Sequence, residues 1–127
     1  MERAVEIFAT IHFLIMGLSH VIHPRAWVEF FRWLHERGRA GVFVHGFISL
    51  GFGSVIVAFH NVWSGLPMIL TIVGWAYILK AVLCFLVPQT QIRTLRRVSP
   101  ERARELVVPG SLFIAMAGLL LYVLWRQ

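Results

Sequence analysis

LPMILTIVGWAYILKAVLCFLVP, residues 66–88, decides the fold. It holds one formal charge, Lys80. Its length is near the roughly 20 residues that cross the hydrocarbon layer of a bilayer. No water is available there, so such a run must satisfy its own backbone as a helix. Three further runs have the same character. They are about Ala4–Ile22, Ala40–Phe59 and Val107–Trp125, beside about Leu66–Val87 for the first. The reading is an all-α, integral membrane four-helix bundle, with residues 1–127 as a single membrane domain.

Composition agrees. The chain is 58% hydrophobic and 14% charged, where soluble domains carry about 25% charged residues. Asp is absent and the net charge is +6. A basic balance raises nucleic-acid binding, but the arginines sit between apolar runs, which is membrane patterning. No nucleic-acid partner is expected. One cysteine, Cys84, excludes an internal disulfide. The first run is expected to stay as a span, since Glu2 and Glu6 spoil a signal's basic start and no A-x-A-like site follows.

The arginines orient the bundle. Arg25, Arg32, Arg37 and Arg39 lie between spans one and two. Arg93, Arg96, Arg97, Arg102 and Arg104 lie between spans three and four. The other side has only Arg3 and Arg126. Both basic loops are therefore predicted in the cytoplasm and both termini outside, in a bacterial inner membrane. Trp27, Phe30, Phe31 and Leu34 recur at helical spacing, which predicts a short interfacial amphipathic helix over 26–37. Ser99-Pro100 reads as an N-cap followed by a first-turn proline. Pro24 and Pro88 read as helix stops. They lie 64 positions apart, and the order span, proline, basic loop, span occurs twice.

Ionisable residues inside spans are the informative ones. On span one, Ile7, Ile11, Leu14, Leu18, Val21 and Ile22 fall on one arc at about 100° per residue. Glu6, Thr10, His12, Gly17, His20 and His23 fall on the other half. His45, Ser49 and Gly53 share a face of span two, and Tyr77, Lys80 and Cys84 one of span three. A rise of about 1.5 Å per residue puts His45, Ser49, Lys80 and His12 in the cytoplasmic half, with His20 near its surface. Lys80, His12, His45, Ser49, Tyr77 and His20 are the candidate ligand-binding residues. Glu6 belongs to the outer side, within reach of His60. Plainer readings stand beside these. Lys80 can snorkel to the interface, His12 and His45 can be neutral and hydrogen-bonded, and His20, His23, His35 and His60 can be structural. Trp27, Trp33, Trp63 and Trp125 read as interfacial anchors, and Cys84 as a packing residue.

No phosphate-binding glycine loop, HExxH or GxSxG is present, so an enzyme is not the favoured reading. Zinc would need His12, His20 and His45 to converge. Haem would need His45 opposite His12 or His20, with Gly17 and Gly46 making room.

Two stretches carry a resemblance. Gly17-Leu-Ser-His20-Val-Ile-His23-Pro24, placed before an aromatic amphipathic segment, resembles the end of the first span in DoxX-like four-span families. His60-Asn61-Val62-Trp63, with Thr71, Gly74-Trp75, Lys80 and Pro88, resembles a pattern of small uncharacterised bacterial membrane proteins. The resemblance implies a four-span plan and, for some DoxX-like members, redox association. Three functions follow as expectations. One is a binding or transport module with an intramembrane Lys/His pocket for a small anionic or polar ligand. The others are a redox protein carrying haem or meeting quinone, and a structural subunit of a membrane complex. A homo-oligomer or a complex partner is expected in each.

Overall fold

Apolar runs flanked by proline or glycine become helices along the whole chain. The computed structural model describes residues 1–127. Its α-helices are α1 (Glu2–Ile22), α2 (Pro24–Glu36), α3 (Arg39–Phe59), α4 (Met68–Leu86), α5 (Pro88–Arg96) and α6 (Val107–Arg126). A 3-10 helix, Pro100–Leu106, leads into α6. Four segments are long and apolar enough to cross a membrane: α1, α3, α4, and the stretch Pro100–Arg126 that contains α6.

Pro24 and Pro88 do more than stop a helix. Each ends one and opens the next. His23 and Val87 make the turns with nearly the same backbone, φ −124°, ψ 55° and φ −132°, ψ 61°. The proline that follows occupies the first turn of α2 or α5, where its missing amide proton costs nothing. Helix α5 is thus additional to the expected elements. Ser99 holds the cap position before Pro100 as expected, but its hydroxyl makes no capping bond and the turn is 3-10.

The spans pack as two pairs, α1 along α6 and α3 along α4. Glycines let the backbones touch. A Cβ on Gly17 would sit 2.8 Å from the Gly110 carbonyl oxygen, and one on Gly53 2.8 Å from that of Gly74. Small residues at such crossings are the usual means of close approach in membranes. The repeat seen in the sequence reappears in the packing. Gly110 closes on the His20 Cβ and Gly46 on the Cys84 Cβ. The corresponding members of the two contacts, His20 with Cys84 and Gly46 with Gly110, are 64 positions apart, as the two prolines are.

One core joins the pairs: Val5, Ala9 and Phe13 of α1, Phe52 and Ile56 of α3, Leu70 of α4, and Ala117 and Leu120 of α6. The aliphatic arc of α1 (Ile7, Ile11, Leu14, Leu18, Val21, Ile22) is exposed, as a lipid-facing stripe should be, while Glu6, Thr10, Gly17 and His20 are buried. At the basic end, α2 lies against α3, α5 and the 3-10 helix. A smaller core of Leu34, Val42, Cys84 and Leu95 fixes it there.

Candidate ligand site at the basic end

Lys80 and His45 come together. Both lie roughly 9 Å along their helices from the basic end, at about 1.5 Å per residue. They line one cavity of about 220 Å³ beneath the amphipathic segments. Val42 comes from α3 and Cys84 from α4. Phe31 reaches in from α2, and Gln91, Thr94 and Leu95 from α5. Val98 and Leu106 complete the wall. The local reason is helical spacing. His45 and Val42 are one turn apart on α3, Lys80 and Cys84 one turn apart on α4, and Gln91, Thr94 and Leu95 share the inward stripe of α5.

Lys80 is half-buried, and no carboxylate approaches it. The ion pairs of the chain are Glu6–His60 at 3.1 Å and Arg102–Glu105 at 3.5 Å. The cavity therefore has the Lys80 amine, an imidazole, an amide and the Thr94 hydroxyl, which donates to the Thr90 carbonyl at 3.1 Å, around an otherwise apolar wall. That is the composition of a ligand pocket: mostly hydrophobic, with a few convergent polar groups.

The other candidates fall in different surroundings. Tyr77 sits one turn from Lys80 and shares with it a shallow groove on α4. Its ring meets Phe52 edge-on at 5.0 Å. His12 stacks on the same Phe52 at 4.2 Å and lines a lipid-side groove with Phe8, Ile11, Ile15 and Met16. His20 is buried, donates from Nδ1 to the Met16 carbonyl at 2.7 Å, and stacks on Trp27 at 4.0 Å. Trp27 donates to the Ser19 hydroxyl at 2.9 Å and so ties α2 to α1. Ser49 is buried within α3, outside the cavity wall.

These positions bear on the metal and haem readings. No three His, Cys, Asp or Glu side chains gather as a metal site. The rings of Trp27 and Phe31 link His20 to His45, with ring centroids 4.0 Å from His20 to Trp27, 6.0 Å from Trp27 to Phe31 and 6.1 Å from Phe31 to His45. Neither His20 nor His12 faces His45 as an axial haem pair requires.

A second polar cluster lies at the opposite end. Glu6 Oε1 accepts from His60 Nε2 at 3.1 Å, and both residues are buried. Gln127 donates to Glu6 Oε2 at 3.0 Å. The Thr71 hydroxyl donates to the Val62 carbonyl at 2.8 Å, accepts from the Val62 amide at 3.0 Å, and lies 3.3 Å from His60 Nδ1. Every buried group here is matched, so the cluster reads as a clamp between α1, α4 and the α3–α4 turn. The spacing of Glu6 and His60 from the same membrane edge signals their pairing in the sequence. Nothing there signals Gln91 or Thr94 except the spacing of Ile92, Leu95 and Val98, which makes the second basic loop weakly amphipathic.

No family model, curated protein or solved structure matches this chain.

Proposed function

We propose that this chain is an integral membrane binding or transport module whose Lys80–His45 cavity takes a small anionic or polar ligand. The unpaired Lys80 ammonium carries the reading. A charged lysine at the centre of a span costs about 2.5–3.5 kcal/mol on insertion scales; Lys80, about 9 Å from the basic end, bears part of that cost, and no carboxylate of the chain offsets it. A ligand anion would do so. His45 and Gln91 would orient it by hydrogen bonds, and Phe31 and α5 would shut out water. The cavity of about 220 Å³ is smaller than the roughly 300–1,000 Å³ of drug-sized sites. It therefore suits a small molecule or one headgroup. The arginine asymmetry favours placing the basic end in the cytoplasm of a bacterial inner membrane. A thiol at Arg96→Cys should then react with an impermeant reagent only after the cells are opened. Transport, as distinct from binding, would call for an oligomer, since one four-span bundle is too thin to enclose a pathway.

The test is thermal unfolding of the purified protein with butyrate or inorganic phosphate. A ligand at a hundred times its Kd stabilises the folded state by about 2.7 kcal/mol. Wild type should show a saturable rise in Tm, and Lys80→Met should show none. Equal responses from the two proteins would remove Lys80 from the site.

A further inference from the structure

Lys80 lines two separate hollows. One is the cavity it shares with His45. The other is a groove of about 200 Å³ on α4, lined by Val73, Ala76, Tyr77 and Lys80. It is the only residue the two have in common. The four groove residues follow i, i+3, i+4, i+7, one helix face, so the groove runs roughly 10 Å along α4 at about 1.5 Å per residue. It leads away from the basic end, and Ala76 on it is exposed, one turn from the exposed Ile72 and Leu79 of the same helix. A water-borne ion has no use for such a track. An acyl chain does, because the hydrocarbon layer is where the groove opens.

From this we infer that the ligand is a single-chain anionic amphiphile that enters sideways from the bilayer. Its carboxylate or phosphate head occupies the cavity beside Lys80 and His45, where the Gln91 amide offers a hydrogen bond. The first part of its chain lies over Tyr77, Ala76 and Val73. Charge complementarity fixes the head and the apolar groove fixes the direction of the tail. The inference rests on the proposed binding role of the Lys80 cavity and names the class of ligand.

The test uses the full chain in phosphatidylcholine nanodiscs with dodecanoate, dodecanol, butyrate and inorganic phosphate. Dodecanoate should bind at least tenfold tighter than butyrate, and dodecanol should not raise Tm. Ala76→Phe, at an exposed position, should weaken dodecanoate at least tenfold and leave butyrate unchanged. Lys80→Met should abolish both. A diazirine-bearing dodecanoate provides an independent reading on the unmodified chain. It should label residues 73–80, and labelling spread evenly over every lipid-facing helix would overturn the inference. Butyrate or phosphate binding as tightly as dodecanoate would also overturn it, while leaving the small-anion reading intact. Binding of none of the four probes would remove that reading as well.

Discussion

Replacing Glu6 by Leu, or His60 by Leu, is expected to cost about 3–5 kcal/mol of folding free energy. Removing one member of a buried pair strands the other, and the stranded group then bears its full desolvation penalty. Here both members are almost wholly inaccessible, at 2% and 0% exposure. The damage should spread, because Glu6 also holds Gln127 while His60 abuts Thr71 and through it the α3–α4 turn. The double substitution Glu6→Leu/His60→Leu should be milder than the sum of the singles. Two apolar groups facing each other leave neither member of the pair stranded, and only the part-buried Gln127 amide loses its partner. Reversible unfolding in bicelles would measure all three. Additive losses would mean that the two side chains act independently.

Gly41→Val is expected to damage the basic end more than any other single methyl-scale change there. A Cβ at Gly41 would collide with the backbone carbonyl of Leu34. Backbone cannot swing aside as a side-chain tip can, so α2 must lift off α3. Overpacking of this kind costs about 1–3 kcal/mol, occasionally more. Because α2 carries Phe31, lifting it also opens the cavity around Lys80. Stability and anion-dependent stabilisation should therefore fall together. Gly51→Ala provides the contrast. Nothing lies within 4 Å of a Cβ there, and exchanging a helical glycine for alanine is worth up to about 1 kcal/mol in stability. A Gly41→Val protein that unfolds and binds like wild type would mean that α2 does not sit tightly on α3.

Much of this architecture was legible in the amino-acid order. Helices in hydrocarbon announce themselves by length and apolarity, and the exposed arc of α1 followed from its angular period alone. The Lys80–His45 level followed from rise per residue, because both residues are measured from the same membrane edge. What periodicity does not carry is which helix pairs with which. The polar half of α1 divides: Gly17 and His20 meet α6 at Gly110, while His12 and Glu6 meet Phe52 and His60 of α3 and its following turn. His20 is turned into the Trp27 stack as a result, and His12 is left against Phe52. The prolines were ambiguous for a different reason. The same fixed φ that ends a helix also pre-sets the first turn of the next, and only the tertiary path selects between the two outcomes.

The central claim is that polar groups of α3 and α4 face one shared hollow at the basic end. A cysteine pair tests it most directly. His45→Cys and Lys80→Cys are placed on a Cys84→Ala background and treated in membranes with a short bifunctional methanethiosulfonate reagent. The 45–80 pair should cross-link within one chain at high yield, and a His12→Cys, Lys80→Cys pair on the same background should not. Cross-linking of 12 with 80 but not of 45 with 80 would contradict the account.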